Sequence, residues 1–219
     1  MKKIILVVGV ILVLIIGRVS NYSKSINTGL ASNMIRLHVV ANSNSTNDQI
    51  LKLKVRDKVL DYTKVLLRDS VSIDDTQRII SQNLGNISNF IKKYMDENCI
   101  NYNVKVQLGE FPFPTKAYGD VVLPAGYYQA LKVLIGEAKG NNWWCVLFPP
   151  LCFVDATHGR ITDDVKQKLK QDLTTEQYDI ITKTNKTNDI PIKIKFKVVE
   201  LYQTSRVAIT KLINRGIKC

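Results

Sequence analysis

Hydrophobic and polar positions change period several times along the chain. Ile4 to Gly17 is an unbroken apolar run. As a helix rising about 1.5 Å per residue it spans roughly 21 Å, less than the roughly 30 Å hydrocarbon core of a bilayer. With Lys2 and Lys3 before it, the run reads as an export segment over 1–20, a signal peptide or a membrane anchor, that orients the remainder outward. Arg18 follows the run directly, and the small residues Gly29 and Ala31 lie well downstream, so cleaved and tethered forms both stand. Residues 21–33 are polar, small and aperiodic, and are expected to be a linker.

From Met34 the pattern alternates. Ile35, Leu37, Val39 and Ala41 share one side, which predicts a strand with His38 on the other. Asn42 to Ser45 is a turn cluster, and Ser45 with Asp48 forms the cap of a helix. That helix carries Leu51, Val55, Val59, Tyr62 and Leu66 as a stripe, with Lys52, Lys54, Arg56 and Lys58 expected on a solvated face. Ser72 and Asp75 repeat the cap before one further helix marked by Ile80, Leu84, Ile87, Ile91 and Tyr94. Strict alternation from Ile100 to Leu108 predicts a second strand, which Phe111-Pro112-Phe113-Pro114 breaks into an extended loop.

Tyr127 to Ile135 and Trp143 to Phe148 are apolar runs rich in β-branched and aromatic residues. The Gly/Asn-rich stretch between them predicts a β-hairpin, ended by Pro149-Pro150. This hairpin is expected to form the core, with Trp143, Trp144, Cys145, Phe148 and Cys152 as its structural residues and the two tryptophans on opposite faces. Beyond it, Val165, Leu169 and Leu173 give a thin helical stripe, and Thr174 with Gln177 restarts the helix. Two apolar faces from Phe196 to Ile213 predict a well-buried C-terminal helix stopped at Gly216. The reading is a single α+β domain over 34–219. Its sheet is mainly antiparallel, with a central hairpin, and amphipathic helices pack it.

A formal net charge of +12 implies a negatively charged partner. An exported chain does not meet nucleic acid, so the charge suits an anionic membrane surface or a basic surface without a specific partner. The four cysteines, Cys99, Cys145, Cys152 and Cys219, include no Cys-x-x-Cys pair, and nothing in the chain calls for a metal or cofactor. Cys145 and Cys152 flank the Pro-Pro turn, where a disulfide and two buried thiols both fit.

Candidate chemistry is sparse. Cys145 or Cys152 with His158 as base is the sharpest enzymatic arrangement, but these thiols sit among Trp, Leu and Phe, where thiolate is disfavoured. Asp120, Glu137 and Asp155 flank the core without forming an evident pair. An exported envelope hydrolase acting on peptidoglycan or peptide through His158 or an acidic pair is therefore the alternative to a non-enzymatic reading, for which no catalytic residue is assigned.

Ile35-Arg36-Leu37-His38-Val39-Val40-Ala41-Asn42-Ser43, then Asp48-Gln49 and Leu51-Lys52-Leu53-Lys54-Val55-Arg56-Asp57, resembles the opening signature of the stage II sporulation protein R family. Leu123-Pro124-Ala125-Gly126-Tyr127, Leu131-Lys132-Val133 and Trp143-Trp144-Cys145-Val146-Leu147-Phe148-Pro149-Pro150-Leu151-Cys152-Phe153 resemble its second signature. The resemblance implies a signalling protein made in the forespore of an endospore-forming bacterium. It implies export to the space between forespore and mother-cell membranes, where the protein activates a membrane-embedded aspartic protease of the mother cell that processes the sigma-E precursor. It implies no catalytic residues. Polar loops on rigid scaffolds often carry recognition, so Asn42, Ser43 and Asn44 are the first candidates for receptor contact and Phe111 and Phe113 the next. Ser43 and Asn44, unused by the helix cap, are expected to be simple surface positions.

Overall fold

A computed structural model describes residues 2–153, 161–183 and 190–216. After helix α1 (Lys2–Ala31) the chain forms strand β1 (Ile35–Val40), then helices α2 (Thr46–Leu66), α3 (Ile73–Gln82) and α4 (Leu84–Glu97). Strands β2 (Val104–Phe113), β3 (Lys116–Tyr118), β4 (Val121–Leu123), β5 (Gly126–Ile135) and β6 (Asn142–Phe148) follow. A short 3-10 turn (Leu151–Phe153) and helices α5 (Asp163–Asp172), α6 (Thr175–Lys183) and α7 (Ile190–Gly216) complete the described chain.

The main sheet has the order β2-β5-β1-β6, and helices cover both its faces. β1 is buried at all six positions and lies parallel to β5 and antiparallel to β6. The α+β class therefore holds, with antiparallel pairings in the majority, but the expected hairpin does not form. β5 and β6 are not neighbours, because β1 fits between them. A strand buried on both faces belongs inside a sheet, whereas local apolar runs say nothing about a third strand inserting between them.

On one face Ile35, Leu37 and Val39 pack with Leu131, Val133 and Ile135 of β5 under Leu51, Val55 and Val59 of α2 and Ile80, Ile87, Ile91 and Met95 of α3 and α4. Both predicted caps form: Ser45 Oγ accepts from Asp48 N, and Ser72 Oγ from Asp75 N. The single helix expected over 72–98 is two, broken at Asn83. Lys52 is buried against the loop before β6, and Arg56 stacks 4.2 Å over Trp143, so neither belongs to a solvated face.

The other face holds Tyr128, Ala130 and Val146 of the sheet, covered by Ile26 and Leu30 of α1, Val165 and Leu169 of α5, Ile180 and Ile181 of α6, and Phe196 and Val199 of α7. Residues 21–31, expected as linker, are thus the last turns of one continuous helix. Their fully buried apolar residues are Ile26 and Leu30, with Tyr22 and Ala31 packed beside them; the small polar Ser23 and Asn27 complete a buried face that composition alone reads as loop.

Two further expectations change. β2 runs through Phe113 and pairs with β5 to its end, rather than breaking at Phe111. Pro112 is tolerated because β2 is an edge strand. The C-terminal helix is buried on one side only: Phe196, Val199 and Gln203 face the body, while Ile194, Leu201, Ile209, Leu212 and Ile213 are exposed.

Candidate functional site

The turn after β1 is a closed hydrogen-bond network. The Asp48 carboxylate accepts from Asn42 Nδ2 at 2.9 Å and from Ser43 Oγ at 2.5 Å. Those bonds, Ser43 first, hold its pKa below the usual aspartate value. Asn42 Oδ1 accepts from Glu137 N at 2.9 Å, and Asn44 Oδ1 from Asn141 N at 2.7 Å. Gln49 Nε2 donates to Ser43 O, and Lys52 Nζ donates to Gln49 Oε1 at 2.6 Å and to Asn141 O at 3.3 Å. Burial, then repulsion from Arg56, lowers the Lys52 pKa.

The turn therefore clamps the loop that joins β5 to β6 across the end of β1. Close approach explains the two glycines of that loop. A Cβ at Gly136, whose φ is +57°, would stand 2.3 Å from Asn42 Oδ1, and one at Gly140 would stand 2.2 Å from Ser43 O. Ser43 and Asn44 are consequently not simple surface positions; both side chains bind backbone or carboxylate partners. Thr46 and Asn47 form the exposed rim beside them.

A second cluster lies on the α1/α7 face of β1. Arg36 is fully buried, and its Nη2 donates to the Tyr118 hydroxyl at 2.7 Å. Its guanidinium sits 4.1 Å from the Phe113 ring centre and 4.8 Å from that of Tyr128, while Nε and Nη1 have no hydrogen-bond partner. Burial raises the pKa of Tyr118 and Tyr128, so both phenols stay protonated. Cross-strand register places His38 beside Trp144, and the rings stack at 3.8 Å. His38 Nε2 lies 2.8 Å from Asn142 Oδ1, and Nδ1 has no partner. Burial pushes the His38 pKa down to about 4, partly opposed by the Asn142 hydrogen bond and assisted by Lys132 and Arg36. The ring is neutral at pH 7.

The remaining sequence candidates are dispersed. Phe113 is buried under Arg36 and has no surface to offer a receptor, which withdraws it as a contact residue. Phe111 is half-buried beneath Lys132 Nζ, 4.7 Å from its ring centre. Trp143 and Trp144 are half-buried on opposite faces, and Cys145 and Phe148 are buried. Cys145 and Cys152 are joined in a disulfide, so neither is a free nucleophile. Asp120 is buried, accepting from Ile161 N and pairing with Lys166 at 3.4 Å. Glu137 is an exposed partner of Lys139. His158 and Asp155 lie outside the described residues. Among the described residues no cluster of His, Cys, Asp or Glu has the arrangement to hold a metal ion.

Arg36, Lys52 and Asn141 were not singled out from sequence. A charged residue at an alternating strand position ordinarily marks the solvent side. The available signal was the bulk of Met34, His38 and Val40 on that same side of β1.

Residues 31–158 match the stage II sporulation protein R family (spore_II_R). The chain is 32% identical over 217 residues to "Stage II sporulation protein R" of Bacillus subtilis (strain 168), covering 91% of this chain and 97% of that protein. No solved structure matches it. The match contains both the signature turn with its clamped loop and the arginine–histidine cluster, and the chain belongs to the stage II sporulation protein R family, with a role in sporulation.

Proposed function

We propose that this chain is an exported signal between the two compartments of the sporulating cell. It activates a membrane-embedded aspartic protease of the mother cell, which then processes the sigma-E precursor. The observation that carries this reading is family membership along nearly the whole chain. The exposed apolar turns of α1 support export, with Val7, Val8, Val10, Ile11 and Val13 to Ile16 all open to solvent. We read the exported chain as one that keeps α1 and is tethered by it, since the last turns of the same continuous helix, with Ser23, Ile26, Asn27 and Leu30, belong to the packed body.

The chain acts as a ligand rather than a catalyst. A ligand shifts a receptor only through differential affinity for its states, which favours a rigid displayed patch. The hydrogen-bonded turn after β1 supplies one, with Asn44, Thr46 and Asn47 exposed along its rim and Asn42 and Ser43 holding it in shape. Co-expression with the protease and the precursor in a host lacking all three tests the reading. Processing is expected only when all three are present. A folded, exported chain that leaves the precursor intact would overturn it, and so would activity of a cytoplasm-only reporter fused after Cys219.

A further inference from the structure

Helix α7 carries an apolar stripe that the body does not use. At about 100° per residue, Ile194, Leu201 and Leu212 fall within a narrow arc, with Ile209 and Ile213 beside them. These five are between 56% and 71% exposed, and Ile194, Leu201 and Leu212 lie on the side opposite buried Phe196, Val199 and Gln203. The helix is also basic: Lys193, Lys195, Lys197, Arg206, Lys211 and Arg215 stand against the single acid Glu200. A long helix with an unpartnered apolar face and an excess of cations has the composition of one that lies in a membrane interface.

Its neighbour indicates which surface. Ser20 Oγ bonds the Tyr202 hydroxyl, Ser23 Oγ bonds Val199 O, and Gln203 Nε2 bonds Ser23 O. Ser20 and Ser23 meet Tyr202 and Val199 in reverse order, so α1 and α7 are antiparallel where they touch. The C-terminal turns of α7 therefore leave the body on the side from which the apolar turns of α1 leave it. Any bilayer that takes Val7 to Ile16 lies next to Ile209, Leu212 and Ile213.

We propose that the outer face of α7 seats on the same bilayer that receives α1, its apolar stripe in the acyl boundary and the net positive charge of the helix drawn to anionic headgroups, although Lys195 and Lys197 are already paired with Glu176 and Glu200. This rests on the membrane-tethered reading above. It adds a second attachment that fixes how the body, and with it the signature turn, stands above the lipid.

Full-length chain with Cys99→Ser and Cys219→Ser provides the test. Single cysteines at Leu212→Cys, Val10→Cys or Val65→Cys, the last on the outer side of α2, are labelled with a polarity-sensitive fluorophore. Each protein is reconstituted in phosphatidylcholine/phosphatidylglycerol vesicles with brominated acyl chains. The labels at 212 and 10 are expected to shift to the blue and lose intensity to bromine, while the label at 65 does neither. In vesicles of phosphatidylcholine alone, quenching at 212 is expected to weaken while quenching at 10 persists. Quenching at 10 without quenching at 212 overturns the proposal and leaves the tether intact. A blue shift at 212 that grows with protein concentration, without bromine quenching, assigns the stripe to a second copy and also overturns it. If neither site is quenched, the tethered reading falls and the proposal with it. Equal quenching at 212 in both lipids removes the anionic headgroups from the account. Labelling at Ile209→Cys, expected to repeat the result at 212, guards against an effect of one substitution.

Discussion

The two faces of the central sheet are built by different means. On the α2–α4 side the apolar core is mostly aliphatic, with Asp48, Lys52, Thr63 and Thr76 the buried polar residues of its helices, and those helices lie close to β1 in the chain. On the α1/α7 side Arg36, His38, Ser23, Asn27 and Gln203 are buried among the apolar groups, and the covering helices come from the two ends of the chain. An aliphatic face is held by contact area, and its loss is graded by volume. A face with buried polar groups depends on particular partners and on protonation, and several of its atoms, including Arg36 Nε and His38 Nδ1, have none. The first face is suited to stability. The second joins α1 to the body and carries a buried titratable group, His38.

The largest effects should show whether the faces are of equal weight. Ile87→Ala and Leu30→Ala, both at fully buried sites, are each expected to lower the unfolding free energy by about 2–5 kcal/mol in denaturant titration. A cost below about 1 kcal/mol for Leu30→Ala alone would make α1 a leader resting on a complete body.

Between pH 7 and 4 acidification should strike the polar face through His38. Unfolded chain binds a proton at histidine near pH 6.5, whereas folded His38 does so at about 4. The folded state therefore holds fewer protons between these values. This contribution to stability is complete above pH 6.5 and is lost as the pH falls towards 4, to a total on the order of 3 kcal/mol. His38→Gln is expected to flatten the pH dependence across that window, while Ile87→Ala lowers the whole curve and keeps its slope. Thermal melts of the three proteins between pH 4 and 7 would decide it.

Smaller effects belong to the turn that both faces share. Asn42→Ala removes a bond to the Asp48 carboxylate and one from the Glu137 amide, and is expected to cost about 1–3 kcal/mol. Asn47→Ala, at the exposed rim, should stay within about 0.5 kcal/mol of the parent protein yet impair precursor processing. Normal processing by this stable variant would remove the rim from the receptor contact and leave the half-buried Phe111 as the next position to change.

Local patterns were legible wherever one stretch of chain fixes its own environment. The Ser45–Asp48 and Ser72–Asp75 caps, the stripe of Leu51, Val55 and Val59, and the opposed tryptophans follow from neighbours a few residues away. The turn after β1 was legible as a turn but not as a clamp. Its partners Glu137, Lys139 and Asn141 lie more than ninety residues on, and no periodicity links them to Asn42 and Asn44.

Sequence by itself determined the α+β class, the apolar N-terminal run, the starts of α2 and α3 and, through its two signatures, the family. Each depends on residue order over short distances or on the residues themselves. Tertiary structure alone decided that β1 enters between β5 and β6, that Pro112 is carried on an edge strand, and that Cys145 meets Cys152. It also decided that Arg36 and His38 lie inside and that Leu201 and Leu212 lie outside. Burial is a property of what comes to cover a residue. Here Arg36 and His38 are covered by Phe113, Tyr118, Tyr128 and Trp144, aromatic side chains from strands far along the chain, and among the described residues none covers the outer face of α7.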